Sequence, residues 1–218
     1  MSESEPTSQP KPTPHKPSQT PNRQIRASFD TTHITVYQAY STSIASAAVT
    51  HQKLNAAPDF RPSRMTWIKP SWCWMMYRSG YSLKDPHQAR ILAIKISHEN
   101  FAVLLSQAVV TSGQHALSEE ERRMPVRVQW DPERTPRLGV LPYRSIQIGI
   151  SREVGRKWVE EWVDGIEDVT ERALELKRAV EENPKIEIEE LVEKGLMPVE
   201  REYVLPEELR RRLRMELE

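Results

Sequence analysis

The chain has 218 residues, with 31 Lys/Arg against 31 Asp/Glu, a length that fits one ordinary domain plus tails and can bury a real core. The even balance hides a basic body and an acidic end: residues 25–158 carry 18 Lys/Arg and 10 Asp/Glu, a net of +8, whereas residues 159–218 carry 10 and 19, a net of −9. One cysteine excludes an internal disulfide, and the lack of a long apolar run or hydrophobic signal core points to a soluble protein of a reducing compartment, cytoplasmic first and nuclear second.

Residues 1–22 are rich in Ser, Pro, Thr and Gln without apolar periodicity, and are expected to form a disordered tail. One α+β domain is expected over residues 23–182, a mixed or antiparallel sheet packed against several helices. Residues 24–29 and 34–40 alternate as two short strands. Ser41 or Ser43 caps a helix over 44–49. Residues 65–68 read as a strand stopped at Lys69-Pro70; Ser71 then caps a short helix through Arg78 that Gly80 closes. Residues 91–96 are apolar almost throughout, the pattern of a central strand, and 98–110 are periodic as an amphipathic helix.

Residues 126–130 alternate again before a turn signal at Asp131-Pro132-Glu133-Arg134. Residues 143–150 give the clearest alternation, with Ile146, Ile148 and Ile150 on one face and Tyr143, Ser145, Gln147 and Gly149 on the other. A helix from Ser151 carries Val154, Trp158, Val159, Trp162 and Ile166, and another runs from Thr170 to Glu182. The charged helical extension, 183–218, holds two short helices near 188–194 and 207–216. Its acidity fits either a solvated tail or one that folds back on the basic body.

Familiar chemical signatures are missing from this sequence. With seven glycines there is no Gly-rich phosphate loop, no Gly-x-Ser-x-Gly elbow and no metal-ligand spacing. His33, His51, His87, His98 and His115 are scattered, and His15 lies in the tail; surface or capping roles suit them. Cys73, between Trp72 and Trp74, reads as a small buried hydrophobe. Trp72, Trp158 and Trp162 sit at helical spacing and read as core.

Residues 60–81 stand apart, because they gather Arg, Lys, Trp and Tyr beyond what packing needs. Arg64, Trp67, Lys69, Trp74, Tyr77 and Arg78 are candidates to hold an anionic ligand, with Arg26 and Tyr37 from the first strands and Tyr143 and Arg144 from the late one. Lys69 and the free N–H groups of the helix opened by Ser71 form a candidate phosphate site. Gln147 and Glu133 are the candidates to orient a reacting group. Arg26 and Arg144 have a plainer reading, as ion-pair partners of Asp131 or Glu133.

The strings at 23–27, 36–40, 64–71, 74–80, 126–134 and 142–149, in this order, resemble domain of unknown function 4291 over about residues 23–182. That resemblance implies no reaction and leaves the ends of the chain peripheral. In a looser likeness, an early Arg and an aromatic cleft look like ADP-ribosyltransferases, with Arg26 and Tyr77 in the first two roles. Gln147 stands where those enzymes place a late acid, leaving Glu133 or Glu153 to substitute.

Three functions therefore compete: an enzyme acting on a nucleotide or other phosphate-bearing molecule, a single-stranded nucleic-acid-binding module, and a protein-interaction domain. The first is favoured because cations and aromatics interleave in one compact segment. No cofactor is named by the sequence, a membrane partner is not expected, and catalysis and oligomeric state stay open.

Overall fold

A computed structural model describes residues 20–62, 64–111 and 116–215. The expected disordered tail, apart from residues 20–22, and His15 and His115 lie outside these residues. The architecture is α+β. Among the described residues nine strands run as β1 (Arg26–Ala27), β2 (His33–Tyr40), β3 (Thr66–Ile68), β4 (Arg90–Ser97), β5 (Ala108–Val110), β6 (Val126–Arg134), β7 (Val140–Ile150), β8 (Gly165–Asp168) and β9 (Arg201–Glu202). The α-helices are α1 (Thr42–His51), α2 (Trp72–Ser79), α3 (His98–Ser106), α4 (Glu119–Arg123), α5 (Arg152–Lys157), α6 (Thr170–Glu182), α7 (Ile188–Glu193) and α8 (Glu207–Arg212).

The strands form a four-stranded sheet in the order β3-β7-β6-β5, a three-stranded sheet β2-β4-β8, and the pair β1-β9. All pairings are antiparallel except β5 with β6. The two larger sheets meet at one bridge. There Tyr37 N–H donates to the Lys69 carbonyl at 2.7 Å, and Lys69 N–H to the Tyr37 carbonyl at 3.1 Å.

β4 is central, and its continuous apolar run has a physical cause: both faces are covered. Leu92, Ile94 and Ile96 enter the larger core with Val128, Trp130, Ile146, Ile148 and Ile150. Ile91 and Ala93 enter a second core with Tyr37, Trp72, Met75, Met76 and Leu176. Trp158 and Trp162 are buried in the larger core, on a π-helical turn, Trp158–Trp162, that continues α5.

Several local expectations are corrected. The apolar run 98–110 is not one helix: α3 ends at Ser106, and Ala108-Val109-Val110 pair with β6 as a strand. Small and β-branched residues suit that pleated, buried position. Asp131–Arg134 is not a turn. β6 continues through it with an irregularity between Pro132 and Arg134, which absorbs the missing proline N–H. The turn falls later, where Thr135 N–H donates to the Gly139 carbonyl and Leu138 takes a φ of 64°. Ile166 lies on β8, not on a helix.

The C-terminal segment is not peripheral. β9 pairs with β1, and Tyr203, Leu205, Leu209 and Leu213 are buried in the larger core. Its helical ion pairs stay local, Lys194 with Glu190 and Arg211 with Glu207. Apolar burial holds it to the body, together with hydrogen bonds from Arg26, Trp72 and Trp130.

Candidate functional site

The four-stranded sheet has one apolar and one polar face. In register, Gln129 faces Gln147, Asp131 faces Ser145, and Trp67 and Arg127 flank Gly149. Alternation puts these side chains opposite the Ile146–Ile148–Ile150 stripe. A Cβ at Gly149 would come within 2.9 Å of the Trp67 ring, so only glycine lets that ring lie across β7.

α2 is fastened to this face at its first turn. The Ser71 hydroxyl accepts from Trp74 N–H at 3.0 Å and donates to Glu133 Oε1 at 2.9 Å. Glu133 Oε1 also accepts from Arg134 N–H at 2.7 Å. Glu133 is 5% exposed, and burial raises its pKa against these donors. Gly80 ends the helix in the left-handed region at φ 58°, as its position in the sequence requires.

The expected phosphate site at the start of α2 is already taken. Glu200, just before β9, accepts from Trp72 N–H at 2.6 Å, so a carboxyl of the chain itself occupies that donor. The Glu200 carboxyl is nevertheless pushed up to about 8, first by burial and then by repulsion from Glu133, against the Trp72 N–H bond and Arg26. Arg26 is spent nearby: Nη1 donates to Gln24 Oε1 at 3.3 Å and Nη2 to the Glu200 carbonyl at 3.0 Å. Tyr143 is half-buried, with Glu133, Arg26 and Glu200 in its electrostatic surroundings.

One turn further along α2 the chemistry changes. Lys69, 4% exposed, holds Nζ 5.0 Å from the centre of the Trp74 ring. Burial and the nearby Arg78 lower its pKa to about 7, with Asp131 acting the other way. Among the described residues no carboxylate oxygen lies within 4.0 Å of Lys69 Nζ. Two buried polar atoms beside it, Trp74 Nε1 and Asp131 Oδ2, have no hydrogen-bond partner. Burial raises the Asp131 pKa, opposed by Lys69, Arg144, Arg134 and a bond from Gln147. Gln147 Nε2 also donates to Gln129 Oε1 at 2.6 Å. At the outer edge the Arg134 guanidinium lies 3.6 Å from the centre of the Tyr77 ring, which packs edge-on against Trp74.

The sequence candidates thus divide. Lys69, Trp74, Tyr77 and Arg78 come together, Lys69 and Tyr77 against the Trp74 ring and Arg78 near Lys69; Gln147 reaches them through Asp131, and Trp67 packs on Gly149. Tyr37 does not join them: it is 1% exposed and packs edge-on against Trp72 in the second core. Arg144 donates to the Trp130 carbonyl at 3.0 Å, although its charge reaches Asp131. Arg64 is exposed, and among the described residues no side-chain hydrogen bond or ion pair ties it to the cluster. Asp131 and Arg134 belong to a stretch, Gln129 to Arg134, that the sequence marks as a polar cluster at a strand end without giving either residue a ligand-binding role. Glu200 was missed, in a segment that reads as a tail.

Two cavities, of about 350 and 290 Å³, open elsewhere, one between β5 and Arg212 and Arg214, the other beside Val154 and Trp162. Neither touches the Lys69 cluster, whose chemistry rests on its side chains. Among the described residues no group of three His, Cys, Asp or Glu could hold a metal ion, and no helix is long and apolar enough to cross a membrane.

Fold and site define a class: an α+β protein with a polar sheet face under an aromatic, cation-bearing helix. The chain belongs to the family described as Domain of unknown function (DUF4291), which it matches over residues 24–203. No curated protein matches it. The matched stretch reaches past Glu200 to Tyr203, through the segment that carries β9.

Proposed function

We propose that this face binds a small phosphate-bearing molecule, a nucleotide in the first instance, in the cytoplasm. Trp74 and Tyr77 offer ring faces to a base, Arg78 and Arg134 hold the anion, and Asp131 and Gln147 meet its polar edge. One observation carries the reading. Lys69 and Arg78 bring two cations together with no carboxylate of the described residues ion-paired to either, beside the unpartnered Trp74 Nε1 and Asp131 Oδ2. Unpaired buried donors and acceptors are costly, so their concentration marks a place where a ligand gains.

The transferase-like variant has less support. Arg26 is engaged by Gln24 and the Glu200 carbonyl, and Glu133 by Ser71 and Arg134. Binding of single-stranded nucleic acid is favoured by no separate observation.

The test is a thermal-shift panel of nucleotides, dinucleotides, sugar phosphates and short RNA on the wild type and Arg78→Ala. Arg78 is exposed, so its removal spares the core. A ligand at a hundredfold excess over its Kd adds about 2.7 kcal/mol, enough for a shift of several degrees. One ligand class should raise Tm in the wild type and not in the variant. A flat panel on two folded proteins overturns the proposal.

A further inference from the structure

Lys69 is an unusual place to keep an amine that only attracts anions. Its side chain is almost wholly buried, its backbone is clamped to Tyr37 by two hydrogen bonds, and its Nζ lies by the Trp74 ring. Arg78 repels a proton on it, and Asp131, with Oδ2 unpartnered, is the nearby acid. Held still, poorly solvated and next to a proton carrier, such an amine has the makings of a nucleophile.

We propose that Lys69 forms an imine with an aldehyde that carries a phosphate group, the anion resting on Arg78; this deepens the anion-site reading and rests on it for the phosphate. The Nζ lone pair attacks the carbonyl carbon, forming the C–N bond as the C=O π bond breaks, and one of the two amine protons moves to the carbonyl oxygen. Asp131 is placed to pass that proton and to protonate the hydroxyl of the carbinolamine. Water then leaves, nitrogen gives up its remaining proton, and the C=N bond is complete. No oxidant or reductant is needed. The lowered basicity of Lys69, to about 7, leaves much of the amine free at neutral pH. A purely structural lysine, held by the Trp74 face alone, would gain nothing from the neighbouring Arg78.

The experiment uses the full chain and pyridoxal 5′-phosphate as probe. Borohydride fixes any imine by adding hydride to its carbon, and peptide mapping locates the label. With limiting probe the label should fall on Lys69 ahead of the exposed Lys53, Lys84 and Lys157. Excess inorganic phosphate should slow it, and Arg78→Ala should reduce Lys69 labelling about tenfold or more, the loss expected for a charge-assisted contact. Pyridoxal, which lacks the phosphate, should lose much less Lys69 labelling in Arg78→Ala than pyridoxal 5′-phosphate does, since it loses only the repulsion that helps free the amine. Label spread over the surface lysines with Lys69 spared overturns the imine. If Lys69 reacts with both probes alike and phosphate does not compete, the nucleophile stands and the anion site falls. If nucleotides stabilise the protein but Lys69 stays unlabelled, the anion site stands and the nucleophile falls.

Discussion

Glu200 shows how far one side chain can be changed by its surroundings. An ordinary glutamate has its pKa at 4.5, and here burial and Glu133 raise it to about 8. The folded chain keeps a proton there that the unfolded chain releases from about pH 4.5 upward. The associated stability is therefore full below that pH and is lost as pH rises to about 8. Glu200→Gln keeps an oxygen for the Trp72 N–H, so it should flatten the decline. Urea midpoints at about pH 5 and about pH 8.5 check this, and a wild-type loss no larger than the variant's rejects it. Lys69 has the opposite sign: its depressed pKa contributes stability present above 10.5 and lost as pH falls through about 7. The two windows barely overlap, so the two effects can be separated.

At the level of elements, α2 is the joint between architecture and site. Ser71 caps it and at the same time supplies Glu133 with a donor. Ser71→Ala should therefore cost more than an ordinary cap, about 1 kcal/mol for the cap and about 1–3 kcal/mol for the deprived carboxylate. Ser71→Thr should restore most of it, whereas a loss near 1 kcal/mol in urea titrations would mean Glu133 never depended on Ser71. This helix was legible: Ser71 and Gly80 mark its ends, and the 60–81 composition marks its importance. β7 was legible too, because alternation over eight residues leaves one assignment for each face. Other elements were not. Ala108-Val109-Val110 is too short for periodicity to separate strand from helix. At Pro132 a local turn preference lost to the long pairing of β6 with β7, which no short window contains. The site was half-visible for the same reason. Residues adjacent in sequence, Lys69 to Arg78, could be grouped, whereas Asp131 and Glu200 reach the group only through the fold.

For the whole molecule, the charge split proved a poor guide to organisation. The acidic end reads as separable, yet Tyr203 packs edge-on against Phe29 and Phe101, with ring centres 5.2 and 5.4 Å away. Trp130 Nε1 donates to the Leu213 carbonyl at 2.9 Å. A chain ending at residue 198 would lose five buried side chains from the larger core, Met215 among them, and the partner of β1. It should show no sharp urea transition, since each large buried side chain removed costs about 2–5 kcal/mol against a stability of about 5–15. A cooperative transition at the full-length midpoint would show that the segment is dispensable.

The bridge between the two larger sheets has a genetic consequence. Lys69 joins them through its main-chain N–H and carbonyl alone, groups that every residue except proline possesses. Architecture and chemistry are thus written at one codon but in different atoms. A side chain that fits the buried space there leaves the seam its two main-chain bonds. Proline alone would erase one of them, making position 69 a site where loss of chemistry and loss of assembly have separate alleles.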